Sequence, residues 1–379
     1  MVWELSEEHE AFQATCKSFV DTHLRPIIDK AELDPSVSMP VWREAGKAGL
    51  MGLLMSSEDG GGDGDILAVA VLAEELARAS GGLAITALGS SYMAAPHIAM
   101  YGSPEQKKEH LPGICSGEAL ASILVSEPGA GSDVSAIKSS AVRNPDGSWT
   151  LNGAKTFITN AGLSSVYIVA AVTEPEARHR GITMFLVDPK APGVSTGTPF
   201  RKMGWHASDT REVYLDGVTV PADAVLGELN QGFYQTMAAF QVERTILAAM
   251  ALGHAAECID LTKRYAENRE VFGQRLIDML SVRQSIARME IALETARAVA
   301  YRAADRLDRD HEGAAKAVAV AKFHAPNVAN DVADAAVQIF GGLGFLEEGG
   351  VSRHYRDARV LRIGGGTDEV QFHILSKLS

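Results

Sequence analysis

Glu243 stands in FQVERTILAAM, a segment whose apolar residues recur at helical spacing. Phe240, Leu247 and Met250 fall at offsets of −3, +4 and +7 from it, which sets a carboxylate on an apolar helix face. Burying such a group costs free energy unless it is neutral, paired or put to use. Desolvation would push its pKa toward neutrality, which suits a general base meeting a weakly acidic proton; the plainer alternative is a carboxylate paired with a structural arginine. Two glycine-rich stretches suggest a different chemistry. SEPGAGSD, residues 126–133, follows a β-favouring run and carries free N–H groups that a phosphate can approach closely, although such a loop alone is more often a plain turn. It is not the dinucleotide fingerprint, because no βαβ unit surrounds it. RIGGGTDEVQ, residues 362–371, sets three glycines ahead of two acids.

These residues need elements to hold them. From about residue 5 to 117, apolar residues recur at three- and four-residue spacing, as in QATCKSFVDTHL and LAVAVLAEELARA, which predicts helices. EDGGGDGD (58–65) predicts a loop whose last acid caps a helix from Ile66, and YGSPEQKKEHLP predicts Ser103 as N-cap with Pro104 at the first helical position. The character changes near Ala119. ALASILVSEP, SSAVR, SWTLNGAKTFITN, VYIVAAVT, GITMFLVD and REVYLDGVTV are short β-favouring runs, with NPDGS as a hairpin turn, and the β region ends near VPADAVLGE. Helical periodicity returns over roughly 230–267, 278–308 and 314–339, with a shorter segment near the terminus. The expectation is an α+β multidomain chain: an N-terminal α-helical domain (1–117), a middle β-barrel or sandwich domain (118–228) and a C-terminal four-helix bundle (229–379). Pro326 lies inside AKFHAPNVANDVADAAV, where an interior proline costs about 3 kcal/mol, so a kink or break is expected there.

Composition narrows the class. At 379 residues the chain exceeds what one core usually supports. Its 35 basic and 48 acidic residues give a net charge of −13, which argues against a nucleic-acid partner and against an anionic membrane surface. Cys16, Cys115 and Cys258 are scattered without CxxC or Cys/His ligand spacing, so neither a disulfide framework nor a zinc site is expected, and a reducing cytoplasm fits. His97, His206, His254, His324 and His354 show no metal spacing and are expected at the surface or in the core. The start, MVWELSEEHEAF, is acidic and helix-like, and no run approaches the roughly 18 apolar residues of a membrane span, so neither export nor insertion is expected.

SEPGAGSD, NGAKTFITNA (152–161), NREVFG (268–273), QIFGGLGF (338–345) and RDARVLRIGGGTDE (356–369) occur in that order on a helix, β, helix architecture. In this the chain resembles the acyl-CoA dehydrogenase family over nearly its whole length, from YGSPEQK to the last motif. The resemblance implies FAD held between the β domain and the C-terminal helices, an acyl-CoA substrate, an electron-transfer flavoprotein as acceptor and a homotetramer. It implies that Ile123, Val125, Ser126 and Ser132 touch the flavin ring and pyrophosphate, with Ser132 also at the substrate. Phe157, Ile158 and Thr159 fall where the family covers the ring face and bonds its N5 edge. Arg269, Phe272, Gln338, Gly341 and Gly342 fall where a neighbouring subunit reaches the adenine half, and Thr367 and Glu369 where the last motif meets the cofactor.

Desaturating a thioester needs a base for the α-proton, an acceptor for a hydride from the β-carbon and hydrogen bonds for charge developing on the thioester oxygen. Many members of the family carry the base one residue before a Gly-Thr pair in the last motif. Gly365 occupies that place here, and Asp368 and Glu369 follow the pair instead. The isovaleryl-CoA and long-chain branches also have a small residue there and carry their base directly before an arginine on the helix that Glu243 occupies. Glu243 followed by Arg244 resembles that arrangement. It implies Glu243 as the base, Arg244 about 100° further round the helix positioning substrate or the last loop, Gln241 near the substrate, and Gly365 offering its N–H to the thioester oxygen. Two other readings share the scaffold: a flavin monooxygenase, and a partner subunit of a mixed tetramer. A pure binding module would leave five motifs unemployed.

Overall fold

The computed structural model describes residues 5–378. Its first part is helical: α1 (Glu7–Phe19), α2 (Ile28–Leu33), α3 (Met39–Lys47), α4 (Ile66–Ala79), α5 (Gly81–Leu88), α6 (Ala95–Tyr101) and α7 (Pro104–Cys115). The expected caps form. Asp65 accepts from the Ala68 N–H at 2.7 Å, and Asp308, far along the chain, accepts from Ile66 N at 2.7 Å and Leu67 N at 3.1 Å. Two aspartates thereby satisfy three N–H groups that the start of α4 would otherwise leave open. Ser103 and Gln106 close a capping box at α7, each side chain accepting from the other's backbone.

The middle strands are β1 (Ala121–Leu124), β2 (Ser140–Arg143), β3 (Trp149–Thr159), β4 (Val166–Val172), β5 (Ile182–Val187), β6 (Val194–Thr196), β7 (Thr210–Val220) and β8 (Val225–Leu226). They form one sheet in the order β6-β7-β3-β2-β4-β5-β8, with β1 added parallel to β4. NPDGS turns β2 into β3: Asn144 N donates to Ser148 O at 2.8 Å and Gly147 N to Asn144 O at 3.0 Å. Trp149, Leu151, Tyr167, Val169, Phe185 and Val213 fill one apolar cluster of the sheet.

The last part holds α8 (Gly232–Asn268), a small β9 (Glu270–Val271) and β10 (Gln274–Arg275) ribbon, α9 (Leu280–Asp308), α10 (Ala314–Phe340), α11 (Val351–Arg359) and α12 (Asp368–Lys377). Two short helices therefore follow the three long ones where one was expected. Helix α10 runs through buried Pro326 without the expected break. Packing along both sides holds it, and one missing hydrogen bond does not outweigh that burial. Buried residues of α4, α5, α8, α9, α10 and α11 belong to one apolar cluster, so the first and last regions share a core. Gly253 makes that approach possible: a Cβ there would stand 2.1 Å from the Glu74 carbonyl oxygen of α4. Among the described helices α8 alone is long and apolar enough to cross a membrane, a departure from the expected absence of any such run. Yet 89% of its most apolar window is buried in the protein, as in a core helix.

Candidate active site

The beginning of α8 meets the 362–367 turn. Glu243 is half-buried and makes no hydrogen bond or ion pair among the described residues. Burial raises its pKa, against the opposing pull of Arg244 first and Lys322 second. A Cβ built on Gly365 would lie 3.3 Å from Glu243 Oε1, 3.5 Å from Lys322 Cε and 2.7 Å from Leu247 Cδ1. A side chain at 365 and the Glu243 carboxylate thus compete for one small volume. Gly365 also has φ +65°, which glycine adopts without strain.

Arg244 does not pair with its neighbour. Its Nε donates to Gly365 O at 2.9 Å, and its guanidinium lies 5.4 Å from the centre of the Phe240 ring. Phe240 packs on the same apolar cluster as Ile123 and Val125, which brings this end of α8 against β1. The Gln241 Oε1 atom, two residues before Glu243 on α8, is buried with no partner among the described residues. Asp368 is committed to Arg362, with Nη2 at 2.7 Å and Nε at 2.8 Å. Thr367 caps α12, and Glu369 is exposed in its first turn, its pKa lowered by its own backbone N–H and then by Thr367.

On the sheet side, β3 carries a bulge: Lys155 pairs with Val213 and Ile158 with Arg211, so the intervening residues outnumber those opposite by one. Phe157 sits in this bulge at φ +59° with 72% of its surface exposed. An aromatic residue held in a left-handed backbone conformation costs roughly 1–3 kcal/mol, and such strain gathers at ligand sites. Ile158 is buried, Thr159 half-buried, Val125 buried, and Ser126 and Ile123 half-buried, while Ser132 is exposed in the SEPGAGSD turn. Added Cβ atoms at Gly129 and Gly131 would meet nothing within 4 Å. An exposed ring beside a turn of open glycine backbone fits a flat aromatic cofactor with a phosphate tail, and FAD has that shape.

The remaining expected cofactor residues lie at the other end of α8. Tyr265 stacks on Phe340 with centroids 4.2 Å apart, which joins the ends of α8 and α10. Arg269, Phe272, Gln338, Gly341 and Gly342 are all exposed there, Phe272 by 97%. Twenty-six residues of helix separate Arg269 from Glu243, about 39 Å at 1.5 Å per residue. Within one chain the structure does not bring these two groups together.

Two buried lysines add to the groups expected from the sequence. Lys155 donates to Glu127 Oε1 at 2.8 Å and to Val125 O at 3.2 Å. Glu127 also accepts from Lys138 N at 2.6 Å and Ser139 N at 2.9 Å, so this pair welds the SEPGAGSD turn to β3. Lys322 is fully buried and donates to Leu361 O at 2.6 Å and Gly366 O at 3.2 Å. A sequence signal for it exists: Lys322 shares a helical stripe with Val318, Ala325 and Ala329, the same pattern that singles out Glu243. The histidines carry no metal cluster among the described residues, although His254 and His354 face each other in the core with their Nδ1 atoms 2.9 Å apart.

Residues 6–118, 122–218 and 230–378 match, in turn, the sequence profiles of the acyl-CoA dehydrogenase N-terminal, middle and C-terminal domains. The chain belongs to the acyl-CoA dehydrogenase family, FAD-dependent oxidoreductases that act on the CH–CH bond of acyl-CoA thioesters. It is 34% identical to the mitochondrial long-chain specific acyl-CoA dehydrogenase of Rattus norvegicus over 98% of this chain and 86% of that one. Its identity to the mitochondrial short-chain specific enzyme of Homo sapiens is 36%, over 97% and 89% of the two chains. The solved structure of butyryl-CoA dehydrogenase from Megasphaera elsdenii superposes with a TM-score of 0.95 at 34% identity, covering 100% of this chain and 99% of that one.

Proposed function

We propose that Glu243 removes the α-proton of an acyl-CoA thioester while the Gly365 N–H gathers charge on the thioester oxygen. The observation that carries this reading is the shared volume at Gly365: the only side chain reaching it from α8 with a free carboxylate is Glu243, at 3.3 Å from the Cβ position. A carboxylate with no partner and a raised pKa can accept a proton without first breaking an ion pair. FAD, when bound, supplies the acceptor for the hydride from the β-carbon. Ile123, Val125, Ser126, Ser132, Phe157, Ile158 and Thr159 would hold its flavin half, with Thr367 and Glu369 at the last motif.

Arg244 fixes the Gly365 carbonyl, and so the peptide planes of the turn, while Gln241 offers its orphaned oxygen toward the substrate. As the Cα–H bond breaks, its electrons move toward the thioester carbonyl and the proton comes to rest on Glu243; loss of the hydride then leaves the trans-2-enoyl thioester. The distance between Glu243 and the exposed Arg269, Phe272, Gln338, Gly341 and Gly342 group supports a neighbouring copy as the source of the adenine contacts, hence a homotetramer. We read the domains as 1–117, 118–228 and 229–379, an electron-transfer flavoprotein as the acceptor of the electrons, and the cytoplasm as the location, in keeping with three buried free thiols.

The test is anaerobic mixing of the yellow holoenzyme with short-, medium- and long-chain saturated acyl-CoA thioesters. Wild type is expected to bleach with at least one of them. Glu243→Gln is expected to keep FAD and fold while losing about 10²–10⁴ in the reduction rate. Bleaching of the variant at the wild-type rate removes Glu243 from the reaction.

A further inference from the structure

Lys322 and Lys155 are both buried lysines, but only one has an acid. Lys155 is paired with Glu127 at 2.8 Å, whereas Lys322 has no carboxylate within ion-pair reach among the described residues and donates only to two carbonyls. A neutral donor could tie down those carbonyls without the cost of burying a charge. The charge therefore needs another use, and the space around it supplies one: Lys322 Cε and Glu243 Oε1 flank the same Gly365 volume at 3.5 and 3.3 Å.

We infer that Lys322 is a positioning residue for the reaction, a buried cation that holds the Gly365–Gly366 turn in place and keeps the neighbouring Glu243 carboxylate ionised and ready to accept a proton. The inference rests on the reading of Glu243 as base. Three residues supply the anchorage, each from a different element. Arg244 of α8 holds the Gly365 carbonyl, Lys322 of α10 holds those of Leu361 and Gly366, and Gln371 of α12 donates to Gly366 O at 3.0 Å. The charged groups facing Lys322 are Glu243 and Arg244 from α8 and Asp368 from α12, the last already paired with Arg362. Burial pulls the ammonium of Lys322 down to about 8, so its charge is present through neutral pH and lost in mildly alkaline solution. Of the groups acting on Glu243, Arg244 and Lys322 both favour its ionised form, and Lys322 is the one that approaches from another helix.

Two variants separate charge from clamping. Lys322→Gln keeps a donor for the carbonyls and removes the charge; Lys322→Met removes both. In FAD-loaded protein, the carboxyl C=O infrared band lost on adding Glu243→Gln isolates this one acid, and its pH titration needs no turnover. Lys322→Gln is expected to raise the midpoint of that band by about one pH unit, the scale of a single nearby charge at an effective dielectric near 20. The acidic limb of the flavin-reduction profile should move up with it, and the loss of rate should appear in kcat rather than KM. Lys322→Met should show the same shift together with a raised KM as the turn loosens. A midpoint unchanged in both variants, with fold and flavin content intact, overturns the inference and leaves Lys322 a clamp only. If Glu243→Gln reduces normally the base assignment fails instead, and the infrared midpoint still reports on Lys322.

Discussion

Helix α8 carries two inward-lying glutamates 14 residues apart, about four turns, and they are treated in opposite ways. Glu257 is 3% exposed and surrounded by cations: Arg25 grips it with Nη1 at 3.1 Å and Nη2 at 3.0 Å, Arg78 Nε lies at 3.5 Å and Arg264 Nη2 at 3.7 Å. Glu243 has no such partner, because the arginine beside it is turned onto the backbone of Gly365. Burial is common to both, so burial alone does not distinguish a structural acid from a reactive one. What differs between the two is the commitment of the neighbouring cation, and the proposed role of Glu243 rests on that difference. At Glu257 the arginines serve the carboxylate and join the segment between α1 and α2 to α4 and α8; at Glu243 the cations serve the turn and leave the carboxylate free.

The comparison breaks if the two acids behave alike on removal. The largest separation is in rate, where Glu243→Gln loses its orders of magnitude and Glu257→Gln, counted per folded molecule, should lose almost nothing in anaerobic flavin reduction. Stability should separate them next. Glu257→Gln takes the shared anion from Arg25, Arg78 and Arg264 and is expected to cost about 1–2 kcal/mol in urea unfolding, less than a fully enclosed pair because Arg25 and Arg264 are exposed and Arg25 and Arg78 keep Asp21 and Asp260.

A smaller effect tests the shared volume itself. Gly365→Ala places a methyl group 2.7 Å from Leu247 Cδ1 and 3.3 Å from Glu243 Oε1 on a left-handed backbone, at about 1–2 kcal/mol. The protein should still bind FAD, and stopped-flow reduction should slow about tenfold as the carboxylate is pushed aside, since one such displacement is worth about 1.4 kcal/mol of barrier.

The smallest effect is one of sign. The folded pKa of Glu243 is raised above its unfolded value, so the native state holds the proton more firmly and stability falls as pH rises through the window between the two. Removing the titration should therefore make Glu243→Gln melt above wild type at neutral pH, with the gap closing in acid below the unfolded carboxylate range. Glu257→Gln should melt below wild type at the same neutral pH. Calorimetry across that range, with both variants melting in the same direction, would erase the distinction between the two acids.

Much of this architecture is legible in the amino-acid sequence. Periodicity locates α8, α9 and α10, and cap chemistry locates the starts of α4 and α7, because those signals are local. Glu243 is legible for the same reason: an acid at helical offsets from Phe240, Leu247 and Met250. Its freedom from an arginine is not, since that depends on where Arg244 points, and Arg244 reaches a residue 121 positions away. Lys322 carries the same stripe signal, but what it and Lys155 hold is not legible, since their acceptors at Leu361, Gly366 and Glu127 lie far along the chain. The bulge at Phe157 depends on register with β7, which no single segment encodes. At Pro326 a local rule predicts a kink or a break, and the helix runs on without a break because tertiary packing holds it.

The clamp on Gly365 also bears on how the chain comes to be active. It spans 121 residues through Arg244 and 44 through Lys322, so it is among the non-local contacts that must wait for the rest of the fold. As the chain is synthesised, the glutamate appears long before the glycine that completes its surroundings. On the proposed assignment, a chain extended only to the end of α10 carries Glu243, Lys322 and the β domain and still lacks the Gly365 amide. On that assignment activity is therefore acquired only once the segment after α10 has packed against α8, later than any contact that forms within α8 itself.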